Sequence, residues 1–217
     1  KQTHGGYPGP EIKIVEEPTI FSQEGEVEYG WMILRNAAYN PLQVFKNLAT
    51  DPMAGLTTAL GKMGDGEGAH IQILISPADG KWKGKGRSWI ARTKRAEANP
   101  EKASYKVDPK VMEAVDGKIS KNGFYTTIRG VVSSKDRGSA KAHMANIRAT
   151  FEQFNGDLNG LKGKKIRLKG HFMVDFIYRY QPMVWWGNWT ILNSEELATI
   201  YHFPNKTIET PHIYWLN

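Results

Sequence analysis

The sequence predicts an α+β protein, an open sheet with helices packed on one face. Three observations predict it. Two Asp-Pro helix starts stand 57 residues apart, at Asp51-Pro52 and Asp108-Pro109. Each is followed by apolar residues at helical spacing and then by a glycine stop. Each stop is followed by a run of β-formers and a second helical stretch.

Taken in order, the first unit opens on Asp51, whose carboxylate can accept from the free amides of a first helical turn. Pro52 costs nothing there, because its missing N–H has no partner inside the helix. Met53, Leu56, Leu60 and Met63 recur at spacings of three and four and mark one helix face. Gly64-Asp65-Gly66 ends that helix. Ile71, Ile73 and Ile75 then alternate with His70, Gln72 and Leu74, the period of a strand. Pro77 closes the strand, and residues 82–95 form a second helix. The second unit repeats the order. Met112, Val115 and Ile119 mark a helix, Asn122-Gly123 breaks it, and residues 124–133 form a strand. Met144, Ile147, Phe151 and Phe154 then mark a further helix. Two helix–strand–helix repeats of this kind assemble an open sheet of ferredoxin-like or similar layout.

The expected organisation has four parts. Residues 1–50 are N-terminal strands and an acidic loop, with strands at 11–15 and 29–35. Residues 51–107 are the first unit. Residues 108–192 are the second unit with the strands that follow it. Residues 193–217 are a linking helix, capped by Asn193 or Ser194, and an extended tail. The following strands rest on a period of two: Ile166 and Leu168 against Lys165, Arg167 and Lys169, then Phe172, Val174, Phe176, Tyr178 and Tyr180.

The 217 residues are 40% hydrophobic, enough to bury a core. With no cysteine, a disulfide framework and a thiolate metal site are excluded, and a reducing compartment is favoured. No apolar run is long enough to span a bilayer. The net charge is +7. Residues 1–50 hold four Lys/Arg against six Glu, so the remainder carries +9. A basic body of this kind suits a polyanionic partner. Neighbouring segments are expected before Lys1 and after Asn217.

Two basic stretches are candidate nucleic-acid contacts. In the first, Lys81, Lys83, Lys85, Arg87 and Arg92 interleave with Trp82 and Trp89. Lys and Arg neutralise phosphates, and aromatic faces stack on unpaired bases. A solvated helix whose tryptophans face the sheet fits the same residues. In the second, Lys165, Arg167 and Lys169 share a strand face, which serves either phosphate contact or protection of a sheet edge. Trp185, Trp186 and Trp189 form an indole-rich loop that fits either docking to a domain or subunit, or the core. The six histidines show no close metal-ligand spacing. Glu195-Glu196 stand where negative charge suits a helix N-terminus. Ser133-Ser134 carry no nucleophile signature. Neither a catalytic residue nor a cofactor or metal is expected in this chain.

Four stretches carry a resemblance to a known family. They are Asn193-Ser-Glu-Glu-Leu-Ala-Thr-Ile-Tyr-His-Phe-Pro204, Val174-Asp-Phe-Ile-Tyr-Arg-Tyr180, residues 68–77 with the Lys81-Trp82 that follows, and Gly117-Lys-Ile-Ser-Lys-Asn-Gly-Phe124. Together they resemble the N-terminal, pre-motor domain of HerA-like and type IV secretion-type DNA-translocating ATPases of uncultured bacterial lineages, over residues 7–213. The resemblance implies an accessory or oligomerisation domain of a conjugation or secretion motor. Its partners would be a C-terminal P-loop motor domain of the same parent protein, further copies of itself, DNA, and a membrane reached through segments outside this chain. The implied location is cytoplasmic, at the inner face of the membrane. The departure is the P-loop itself. Gly80-Lys-Trp-Lys-Gly-Lys-Gly-Arg-Ser88 is the nearest string and its spacing does not fit, so ATP hydrolysis carries over onto no residue here. A free-standing nucleic-acid-binding α+β protein is the second reading.

Overall fold

The computed structural model describes residues 19–22, 24–98, 107–182 and 190–203. Among them the strands are β1 (Glu26–Leu34), β2 (Gly68–Pro77), β3 (Gly123–Ser134), β4 (Leu161–Gly163) and β5 (Ile191–Asn193). The α-helices are α1 (Pro52–Gly61), α2 (Lys81–Glu97), α3 (Pro109–Ser120), α4 (Arg137–Thr150), α5 (Lys169–Ile177) and α6 (Ser194–Ile200). The sheet runs β2-β3-β1-β4, with every pair antiparallel, and β5 also pairs with β3. The expected α+β open sheet is what forms.

The expected capping chemistry is present at both Asp-Pro starts. Asp51 accepts from the Met53 N–H at 2.8 Å, and Asp108 from the Lys110 N–H at 2.9 Å. Asp136 accepts from the Gly138 and Ser139 amides and opens α4 in the same way.

The topology distributes the two sequence units in its own way. β1–α1–β2 and β3–α4–β4 are two strand–helix–strand passages, and their strands interleave in the sheet. This is the split arrangement of a ferredoxin-like layout. Helices α1 and α4 pack on each other, and α4 packs on β1 and β3. Helices α2 and α3 pack on each other instead, as an insertion between β2 and β3. The two Asp-Pro helices therefore hold different places: α1 crosses between strands, and α3 belongs to the insertion.

On one face of the sheet, Met32, Ile128 and Val132 meet Leu56 of α1, Met144 and Ile147 of α4, and Phe151 and Phe154 of the 3-10 turn that follows. The α2–α3 insertion has its own cluster, in which Trp82 and Ile119 meet Ile191. Trp82 lies so close over Gly123 that a Cβ there would stand 2.5 Å from the indole.

Two expectations are corrected. Residues 165–169 and 172–180 do not form strands; β4 ends at Gly163, and Lys169–Ile177 is helix α5. Helices accordingly occupy both faces of the sheet, because α5 lies on the second. Phe172 and Phe176 satisfy a period of two and a helical step of four equally, so the pattern alone does not decide. The sheet decides it. Val131, Tyr29 and Trp31 make an apolar second face, and Phe172 and Phe176 cover it. Burying two such rings contributes roughly 1.5–3 kcal/mol each. Tyr29 and Phe172 meet edge to face at 5.4 Å. Arg129 and Gln72 then hold the last turn of α5: the Arg129 guanidinium donates to the Asp175 carbonyl at 2.6 Å, and Gln72 donates to the Phe176 carbonyl at 2.9 Å. These side chains add to the backbone N–H bonds that the same carbonyls accept from Tyr180 and Arg179, so the end of the helix is tied to the sheet. The expected strand at 11–15 lies outside the described residues.

At the other end of the sheet, α6 carries a capping box: Asn193 accepts from the Glu196 N–H, and Glu196 accepts from the Asn193 N–H, each at 2.9 Å. Glu196 is 1% exposed; it also accepts from the Leu42 N–H at 2.7 Å and faces the Lys118 ammonium at 3.0 Å. Lys118 donates further to the Asn40 carbonyl at 3.1 Å. Burial pushes the Lys118 ammonium below its ordinary pKa, and Glu196 opposes that shift.

Removing one member of a buried ion pair costs about 3–5 kcal/mol. Glu196→Ala should show the larger loss in urea unfolding, because it strands a buried ammonium and two backbone amides together. Lys118→Met should cost less, since both amides still satisfy the carboxylate. Equal losses, or the reverse order, would show that the pair does not organise this end of the fold.

Candidate nucleic-acid interface

Helix α2 divides its cations by helical geometry. Trp82, Gly86, Trp89 and Thr93 recur at steps of four, three and four and face inward. Lys81, Lys85 and Arg92 form a row on one flank of that stripe. Lys83 and Arg87 form a row on the opposite flank. The five cations thus do not converge on one surface. Lys81 pairs with Asp79 at 3.7 Å, an exposed contact. The two tryptophans are committed to the fold. Trp82 is 3% exposed, and Trp89 stacks on Tyr39 with ring centroids 6.0 Å apart. The Gly80–Ser88 string opens this helix, with Gly84 and Gly86 inside it.

The second basic stretch is rearranged by the change from strand to helix. Lys165 and Arg167 lie between β4 and α5, and Lys169 is the first residue of α5, so the three do not share a strand face. A shared recess replaces that face. Where β4 ends at the edge of β1, Lys164 donates its backbone N–H to the Trp31 carbonyl at 2.7 Å. There Arg148, Lys164, Lys165 and Lys169 line a cavity of about 300 Å³ together with Tyr29 and Glu28. Arg167 is exposed and does not line it. The Lys164 ammonium stands 4.2 Å from the centre of the Trp31 ring, and that of Lys169 stands 5.1 Å from the Tyr29 ring. Cations over aromatic faces gain from the ring quadrupole. Desolvation lowers the pKa of Lys164. Burial raises the Tyr29 phenol, and the Glu28 charge adds to the rise.

Sequence reading missed Arg148. It sits in the last turn of α4, one helical step beyond the buried Met144, and it reaches across Gly30 and Gly163 to donate to the Tyr29 carbonyl at 2.7 Å. Glycines at those two positions leave the guanidinium room against the ladder. The signal was present as an arginine four residues after a core methionine, but which strand it would meet is not a local property. Trp185, Trp186 and Trp189, the expected docking loop, lie outside the described residues.

Among the described residues no group of three or more His, Asp or Glu gathers as a metal site. One trio of reactive types does meet. Glu67 accepts from the Ser134 hydroxyl and stands 3.0 Å from His143 Nε2. The carboxylate lies in the middle, so the imidazole does not touch the hydroxyl it would have to deprotonate. The trio ties the start of β2 to the end of β3 and to α4.

The Glu67 pKa is lowered, chiefly by the Ser134 hydrogen bond and next by the Gly64 amide, with His143 adding to the effect. A carboxylate with a lowered folded pKa contributes stability above its unfolded pKa, and loses it as pH falls through the folded one. Stability of the wild type should therefore decline in acid below the ordinary Glu range. Ser134→Ala should flatten that part of a pH–stability profile measured by urea unfolding. An unchanged slope would remove Ser134 as the main cause.

No curated protein and no solved structure matches the chain. The chain belongs to the family described as Domain of unknown function (DUF8128), whose model matches residues 1–216.

Proposed function

We propose that the chain is a non-catalytic accessory domain of a DNA-translocating ATPase of the conjugation or secretion type, which contacts DNA and guides it towards a P-loop motor. The observation that carries the DNA contact is the gathering of Arg148, Lys164, Lys165 and Lys169 around one recess, with Glu28 as the one carboxylate among its described lining residues. Cations brought together without equal counter-charge favour phosphates, which release their condensed counterions on binding. The rows on α2 are cationic surfaces of their own: Lys81, Lys85 and Arg92 on one flank, Lys83 and Arg87 on the other.

The motor half of the proposal is supported by the four stretches that resemble pre-motor domains. They fall on β2, on the α3–β3 junction, on α5 and on α6. The indole-rich loop at Trp185, Trp186 and Trp189 would meet the motor or a neighbouring copy in a homo-oligomer. Among the described residues no helix is long and apolar enough to cross a membrane. Placement at the cytoplasmic face would then rest on segments beyond this chain. The same recess supports a free-standing nucleic-acid-binding protein, and the parent reading frame separates the two.

Fluorescence anisotropy with a single-stranded oligonucleotide tests the contact. Four phosphate contacts should weaken binding about 50-fold between 50 and 200 mM salt. Lys165→Ala combined with Lys169→Ala should lower the salt slope by about 1.4. Absence of salt-dependent binding would overturn the nucleic-acid reading. A parent frame with no Gly-x-x-x-x-Gly-Lys-Ser/Thr string would overturn the motor reading and leave the free-standing one.

A further inference from the structure

The recess at the β1 edge has features that a merely charged surface does not need. Edge protection explains lysines beside an open strand. It does not explain a guanidinium held inside a cavity wall. Arg148 spends Nη2 on the Tyr29 carbonyl, while its Nε is buried with no hydrogen-bond partner. A buried donor left unpaired costs about 1–3 kcal/mol, so such a group calls for a reason. Arg148, Lys165 and Lys169 make no ion pair among the described residues. Lys165 and Lys169 are exposed, and both line the cavity from the segment entering α5.

The charge of the lining sets the class of ligand. Among the described lining residues, Arg148, Lys165 and Lys169 stand against Glu28, a net of about +2 in a space of about 300 Å³. A backbone phosphodiester carries one negative charge and is flanked on both sides by sugars, so it meets these cations along the rim of the recess rather than inside it. A phosphate monoester carries close to two charges at neutral pH and is attached on one side only. It can enter a recess end-on, with three acceptor oxygens for several donors at once. The donors here are of both useful kinds, a planar guanidinium and mobile ammonium groups.

We propose that the recess lined by Arg148, Lys164, Lys165 and Lys169 binds a terminal phosphate monoester. Its source is either the 5′ end of a DNA strand or a free phosphorylated small molecule. With a strand end as the source, the proposal deepens the nucleic-acid reading above and rests on it. With a free monoester it stands independently.

Calorimetric titration distinguishes the sources, using inorganic phosphate, thymidine 5′-monophosphate, and a 5′-phosphorylated oligothymidylate beside its 5′-hydroxyl counterpart. The phosphorylated strand should bind about tenfold tighter than the hydroxyl strand. Lys165→Ala with Lys169→Ala should erase that difference while leaving the thermal transition in place. Arg148→Lys, which keeps the charge and loses the fork, should reduce it. A monophosphate that competes equally with the strand end assigns a free small molecule as the source. If the two oligonucleotides bind alike and neither phosphate nor the monophosphate binds, the recess is not a monoester site, and salt-dependent DNA binding would survive that result. Monophosphate binding without any DNA binding would overturn the nucleic-acid reading alone. Discrimination that persists in both variants would place the site elsewhere.

Discussion

The fold depends on a buried polar chain that begins at the Lys118–Glu196 pair. Both side chains are almost wholly enclosed, at 0% and 1% exposure. Two such charges are expensive to remove from water, and only full hydrogen bonding makes them tolerable. Glu196 has three partners, in Lys118 and two backbone amides. Lys118 passes the chain on to the Asn40 carbonyl, which also accepts from Asn159. Asn159, itself 2% exposed, uses its remaining capacity on the Asn36 and Gly160 amides and the Ala37 carbonyl. One connected network thereby fixes the 36–42 segment, α3, α6 and the approach to β4. A network with every member satisfied specifies one arrangement; a half-satisfied one would not.

That arrangement positions the recess through β4. Asn155 and Asn159 shape the turn that delivers Leu161 to the β1 edge, with the Leu161 amide donating to Asn155 at 2.7 Å. Only three residues of β4 pair with β1, from Met32 to Leu34. Among the described residues no other strand pairs with that edge of β1, and the chain from Lys164 to Lys169 leads from it to the second face. The end of this short strand thus brings lysines to the edge of β1. Helix α5 completes the crossing. It is anchored by Phe172 and Phe176 on the sheet and by Gln72 and Arg129 at its last turn. Burial lowers the pKa of Arg129, which the Asp175 charge resists.

Much of the scaffold was legible residue by residue. Asp51 and Asp108 cap the helices they were expected to cap; the second helix ends at Ser120, just before Asn122-Gly123, while the first ends at Gly61, short of Met63 and Gly64. The strand alternation around Ile71 and Ile73 and the α4 stripe of Met144 and Ile147 are present as read. The candidate site was legible only as a set of residue types. Lys165 and Lys169 were named, but for a strand face that does not exist. The α2 stretch was named as one surface, whereas helical geometry splits it into two rows and turns its tryptophans inward. Arg148 was not named at all, because its use depends on glycines at positions 30 and 163 that are distant in sequence.

What the sequence by itself determined is what short-range chemistry controls: caps, stops, the period of each amphipathic run, and an excess of cations after residue 50. Those follow from neighbours within a few residues, where backbone amides and side-chain spacing act directly. Only the tertiary structure decided that residues 169–177 are helical, that β1 lies between β3 and β4, and that four cations meet at one edge. The period-two and helical readings of Phe172 and Phe176 are equal in local terms. The apolar face made by Val131, Tyr29 and Trp31 broke that tie, because Phe172 and Phe176, one helical turn apart, both cover it and are removed from water there.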